Sequence, residues 1–258
     1  MSVDTETAVT TARASWLTRL LDRAAEFALA QPRRRVITTL VVGIGLMAIL
    51  GTFQRLGWGF SLFDFDGEGK PPAAWSALVL ASGGVLGILV GRRGSEPARR
   101  FTVFGSFLIF MSLDEAIEFH ERAQSFFHED WQHLWAPIVL VGAIAWALVL
   151  RRIWPMARER AMLLTGAAFW LISQIDERYQ SNHASGRVKG YGALSGVEEI
   201  LEVSGSALFL LAMLGALEAA RRGGGRLPSA AAEPTAPLSR RPGRRVRSRA
   251  GGSTRRSP

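Results

Sequence analysis

Three short stretches of the chain concentrate side chains that can bind cations or move protons. SLDEAIEFHER supplies Asp114, Glu115, Glu118, His120 and Glu121, a long apolar run ends in Asp176 and Glu177, and GVEEILE supplies Glu198, Glu199 and Glu202. A helix turns about 100° per residue, so Asp114, Glu118 and Glu121 fall within about 40° of one line. Glu202 stands three and four residues after Glu199 and Glu198, which again puts carboxylates on one helical face. A fourth stretch, FDFDGEGK, sets Asp64, Asp66 and Glu68 at alternate positions with glycines that permit a tight turn. It resembles the start of a calcium loop but lacks the twelve-residue spacing and terminal glutamate, so these three are the weaker metal candidates.

Oxygen and imidazole are the only ligand types on offer. The chain contains no cysteine, which excludes disulfides, thiolate metal sites and a cysteine nucleophile. His120-Glu121 does not continue into a zincin motif, and neither a nucleophile elbow nor a phosphate-binding glycine loop is present. Familiar soluble hydrolase and nucleotide chemistries are thereby removed.

The elements that carry these residues are membrane spans. About 20 mostly apolar residues cross about 30 Å of hydrocarbon. Val36 to Phe53, Ala73 to Val90 and Leu134 to Ile153 satisfy this outright. Phe101 to Glu121, Ala161 to Gln180 and Val197 to Leu217 are apolar for most of their length and turn acidic at one end. Their flanks alternate in charge. Arg33 to Arg35, then Arg92, Arg93, Arg99 and Arg100, then Arg151, Arg152, Arg158 and Arg160, then Arg221 and Arg222 mark one side. The other three connections hold only Arg55, Lys70, Arg122, Arg178, Arg187 and Lys189, together with the four histidines and most of the acids. By the positive-inside rule the expected fold is an all-α polytopic bundle of six transmembrane helices with both termini in the cytoplasm. The net charge of +9 is then a topology signal and not a sign of nucleic-acid binding.

Residues 1–35 form a cytoplasmic segment in which 12–30 have the pattern of an amphipathic helix lying on the membrane surface, with Trp16, Leu17, Leu20, Leu21, Ala24 and Phe27 on one face. Residues 36–220 are the six-helix domain. From 221 to 258 the chain is rich in Gly, Pro, Ala, Ser and Arg, with eleven arginines, and is expected to be a disordered tail attracted to anionic lipids. Gly83, Gly87 and Gly91, four apart in the second span, point to close helix packing. The expected location is a bacterial cytoplasmic membrane.

The acids are embedded, not merely flanking. Thirteen residues separate Phe101 from Asp114, roughly 20 Å of rise, so the third span turns acidic about two-thirds of the way across the bilayer. Carboxylates at that depth need a counter-charge, and the outer side has too few bases to supply it. A divalent metal ion held by Asp114, Glu118, His120, Glu121, Asp176, Glu198, Glu199 and Glu202 would answer the need, as carboxylate sites in helix bundles do. Bound protons are the alternative.

FDFDGEGKPPAAWSALVL, SLDEAIEFHER and GVEEILEVSG together resemble uncharacterised bacterial six-span membrane proteins over most of residues 60–215. More loosely, an acidic loop before a Trp-Ser helix and an LDE within a later span is similar to the alkaline ceramidase group of membrane hydrolases. That resemblance implies a metal-dependent hydrolase of a lipid or other amphiphile, although His120 is the only histidine inside a span where the group's zinc site wants three. The competing expectations are a proton or divalent-cation transporter or channel, and a non-catalytic membrane scaffold. The inner halves of the spans offer few polar residues, which favours a one-sided site.

Overall fold

A computed structural model describes residues 3–55, 57, 70–93, 99–117, 119–127, 131–183, 191–224 and 227; among them the side chains of residues 3–15, Leu17, Arg55, His120, Glu121, Gln124, Ser125, Trp131, Gln132, 180–183 and 191–195 lie outside the description. The described residues are helical almost throughout, with α1 Val3–Ala30, α2 Arg33–Arg55, α3 Pro71–Arg93, α4 Arg99–Ile117, α5 Phe119–Phe127, α6 Trp131–Arg152, α7 Ala157–His183 and α8 Tyr191–Arg222. Four stretches are long and apolar enough to cross a membrane: Arg33–Gln54, Pro71–Arg93, His133–Arg152 and Gly196–Arg222. The chain is an all-helical membrane protein.

The helix ends follow local chemistry. Pro71 and Pro72 open α3, where missing amide protons cost nothing, and the carbonyl of Lys70 accepts from Ala74 N at 3.0 Å. Gln31 and Pro32 separate α1 from α2, and the Pro32 carbonyl accepts from Arg35 N at 2.8 Å. A four-residue turn, 153–156, joins α6 to α7. Gly57 and Gly224 follow α2 and α8 with φ of 76° and 59°, the left-handed conformation that ends helices.

The core is built on α3, α4, α7 and α8. Of the apolar span of α8, 72% is buried, against 11% for α2, so α8 is central and α2 lines the periphery. Phe101, Phe104 and Leu108 of α4 meet Leu89 and Val90 of α3 and Met213, Leu214 and Leu217 of α8 in one cluster. Backbones approach closely where glycine permits it. A Cβ on Gly84 would stand 2.7 Å from the Gly105 carbonyl oxygen, and one on Gly166 3.0 Å from that of Gly205. A membrane offers no hydrophobic gain for helix association, so this intimate packing supplies the dispersion contact that holds α3 to α4 and α7 to α8. The glycine reading of α3 holds for Gly87, which faces Gly105 and the Phe101 carbonyl, and for Gly83, which faces the Leu210 backbone.

The described residues are helical on both sides of Glu118, as α4 to Ile117 and α5 from Phe119, and Glu118 itself lies outside the described residues. The ring of Phe119 lies 5.3 Å from Trp135 of α6, and Phe110 of α4 meets the same indole at 6.2 Å. One sequence expectation needs correction. The apolar face of α1 is not single: Ala25 is buried, and Leu21 and Ala24 pack against the core, whereas Trp16, Leu20 and Phe27 are exposed.

Candidate functional site

Helix directions decide which chemistry shares an end. Phe107 against Gly142 and Phe110 against Trp135 make α4 and α6 antiparallel. The short turn reverses α6 into α7, with the Trp146 indole donating to the Leu163 carbonyl at 3.3 Å. Gly166 opposite Gly205 and Ser173 opposite Glu202 make α7 and α8 antiparallel. Consequently the end of α4, the end of α7 and the start of α8 lie together, and with them Asp114, Glu115, Asp176, Glu177, Glu198, Glu199 and Glu202. A common layer sets their depth. Gly83 of α3 faces both Leu210 and Leu108. Glu202 lies eight residues from Leu210 and Asp114 six from Leu108, so the two carboxylates stand about 12 and 9 Å beyond that layer.

Glu202 is held inside the α7–α8 seam. Its Oε1 accepts from Ser173 Oγ at 3.2 Å and from Gln174 Nε2 at 3.1 Å. Its backbone carbonyl accepts from Ser206 Oγ at 2.8 Å and from the Trp170 indole at 3.2 Å. Trp170 in turn stacks edgewise on Phe209 with centroids 5.7 Å apart, which fixes the indole. Ser173 and Gln174 are both neutral donors, so they orient the carboxylate oxygen without neutralising it.

Asp114 is 5% exposed. It follows Phe107 by seven residues and Phe110 by four, which puts it on the face of α4 that meets α6. Beside that face the Trp135 ring nitrogen is buried and donates to no protein group among the described residues. Such an unmade bond costs about 1–3 kcal/mol, which makes this N–H a donor waiting for an acceptor.

The remaining expected ligands fall as follows. Asp176, Glu198 and Glu199 are half-buried at the same end, and each already interacts with a neighbour, as Asp114 does. His133 is exposed at the start of α6. The backbone positions of His120 and Glu121 are helical, in α5, and their side chains, like Glu118, Asp64, Asp66 and Glu68, lie outside the described residues. Among the described residues no three His, Asp or Glu side chains converge to hold a metal ion.

At the opposite end the structure contains a site that the sequence reading passed over. Arg33, the first residue of α2, donates from Nη1 to Glu159 Oε1 of α7 at 3.0 Å and lies 3.7 Å from Glu218 Oε2 of α8. Its Nη2 reaches the Leu211 carbonyl at 3.2 Å and Met162 Sδ at 3.4 Å. The Arg33 and Glu159 side chains are only 14% and 12% exposed. Gly215 makes the room, since a Cβ there would collide with the Glu159 carboxylate. The available signal was two acids, Glu159 and Glu218, close to the ends of apolar runs on a side where basic residues outnumber acids. Counted as flanking charge, Arg33 concealed its own role.

No curated protein and no solved structure matches the chain. A family model does match it, over residues 28–217, from the last turn of α1 through most of α8 and including Arg33, Asp114, Glu159 and Glu202. The chain belongs to the family described as Domain of unknown function (DUF8692).

Proposed function

We propose that the chain is a six-span protein of a bacterial cytoplasmic membrane, with both termini inside and a one-sided cation site at its outer end that serves hydrolysis of a lipid or other amphiphile. α4 and α7 complete the six: their uncharged stretches, 101–113 and 161–175, are short, but they pack against α3 and α8 at the centre of the bundle. The observation that carries the reading is the Glu202 carboxylate, fixed by Ser173 and Gln174 at the level of buried Asp114. Preoriented carboxylates with neutral donors suit a bound divalent ion, which would activate water, while the indole N–H of Trp135 is placed to receive an ester or amide oxygen. The described carboxylates do not by themselves enclose a metal, so Glu118, His120 or Glu121, or Asp64, Asp66 and Glu68, would have to complete the ligand set. Bilayer lipid is the substrate class, and anionic lipid is the partner of the Arg-rich tail.

Transport of protons or divalent cations is the second reading, and one observation favours it. Glu159 and Glu218 supply buried polar chemistry to the inner half of the α7–α8 seam, where a through-path would need it. Elemental analysis of detergent-purified protein, wild type against Glu198→Gln with Glu202→Gln, tests the cation site. Stoichiometric metal in the wild type and its loss in the variant are expected; equal, substoichiometric metal in both removes the metal reading. Cation flux in proteoliposomes then separates transport from hydrolysis.

A further inference from the structure

α1 presents three distinct faces. Taking Trp16 as zero and turning about 100° per residue, Leu20 and Phe27 fall within about 40° of it. Trp16, Leu20 and Phe27 are 60%, 48% and 70% exposed, an apolar stripe outside the bundle that is interrupted only by Arg23. Ala24, Ala28, Leu21, Ala25 and Leu29 occupy the next sector and pack on the core. Asp22, Glu26 and Arg19 fill the third, Arg23 sits at the edge of the apolar stripe between Leu20 and Phe27, and all four are exposed. A surface helix needs only two of these faces. The third wants an occupant.

The position of α1 identifies that occupant. Arg92, in the last turn of α3, donates to Thr18 Oγ1 at 3.1 Å, so α1 crosses the bundle at the end where α3 finishes. The same end gathers the start of α2 with Arg34 and Arg35, the start of α4 with Arg99, the end of α6 with Arg151, Arg158 of α7 and the end of α8 with Arg221 and Arg222, all exposed. We infer that the Trp16–Leu20–Phe27 stripe docks into the headgroup boundary of an anionic leaflet, with this arginine ring and the adjoining Arg19 and Arg23 binding lipid phosphates. Indole and phenyl rings suit that boundary, and the charge around the stripe suits only an anionic surface. The bundle sector, the stripe and the polar sector lie roughly a third of a turn apart. That arrangement fits a helix wedged between protein, membrane and water. The inference concerns the end opposite the carboxylates and stands or falls separately from the proposed cation site.

The absence of cysteine allows a clean test on the full chain. Leu20→Cys and Asp22→Cys proteins, each carrying a single spin label, are placed in nanodiscs of phosphatidylcholine alone or of equal parts phosphatidylcholine and phosphatidylglycerol. Accessibility to oxygen, which partitions into lipid, is compared with accessibility to a water-soluble nickel chelate. In the anionic discs the Leu20 label is expected to prefer oxygen and the Asp22 label the chelate. Replacing Arg19 and Arg23 by Gln is expected to lower the docked fraction relative to the free one by about thirtyfold, the combined effect of two headgroup-facing arginines. Equal chelate access at both positions in the anionic discs overturns the proposal. So does lipid access that is the same in neutral discs and unaffected by Arg19→Gln and Arg23→Gln. A Leu20 label shielded only as protein concentration rises, with spin–spin broadening, assigns the stripe to a second copy and also overturns it. A circular dichroism spectrum matching wild type separates each outcome from unfolding.

Discussion

Arg33 Nη1 lies 3.0 Å from Glu159 Oε1, joining the first residue of α2 to the first turn of α7. With Glu218 of α8 at 3.7 Å, one guanidinium ties three helices that are far apart in sequence. Solvent is scarce there, so the pair is weakly screened; removal of Arg33 strands the Glu159 carboxylate, and removal of Glu159 leaves Arg33 only the longer contact to Glu218.

Glu159→Gln is therefore expected to lower stability by about 3 kcal/mol, and Arg33→Met with Glu159→Met together to recover a substantial part of that loss. Thermal unfolding in a mild detergent gives the comparison. If Glu159→Gln leaves the midpoint within about 1 °C of wild type, the clamp contributes nothing.

Gly105→Ala puts a methyl group 2.5 Å from the Gly84 carbonyl oxygen, and backbone cannot yield as a side chain does. Separation of α3 from α4 should cost about 2–4 kcal/mol. Gly45, with nothing within 4 Å of its Cβ position, is the control, and Gly45→Ala should change stability by less than about 1 kcal/mol. Equal effects at the two positions would refute the packing argument.

Glu202→Gln keeps an acceptor for Ser173 and Gln174 and removes only the charge. Wild-type stability with lost cation binding is expected. Glu202→Leu strands the Gln174 amide, while the Ser173 hydroxyl keeps the Trp170 carbonyl at 2.9 Å, and should cost about 1–3 kcal/mol. A leucine variant as stable as the glutamine variant would mean the seam donors readily find other partners.

The spans were legible in the sequence because an apolar run and its flanking arginines are local facts. α2, α3, α6 and α8 follow from that directly. The seam around Glu202 was legible in part, since Glu198, Glu199 and Glu202 announce an unusual helix start, but nothing local links Glu202 to Ser173 and Gln174. Arg33 was misread for a different reason. A basic residue before a span satisfies the positive-inside rule whether it meets water or a buried glutamate, and only the fold tells the two apart.

The proposed orientation, with both termini inside, predicts a simple labelling pattern. A cysteine introduced at Gln54, at the end of α2, should react with an impermeant maleimide added to intact cells. One introduced at Arg222 should react only after permeabilisation. Both become visible against a background free of native thiols. Reaction of the Arg222→Cys protein in intact cells would reverse the topology.

The clamp at Arg33 also imposes an order on biogenesis. Its partners stand 126 residues later for Glu159 and 178 later for Leu211, so they leave the ribosome on the order of ten or more seconds after Arg33 does. During that interval the first span enters the bilayer with its arginine solvated at the membrane surface, anchored only by position. Insertion of α7 and α8 then offers the guanidinium its carboxylates, and the first helix is locked by the last two. A truncated chain lacking α8 would leave the opening helix unsecured, giving quality-control proteases a means of recognising unfinished copies.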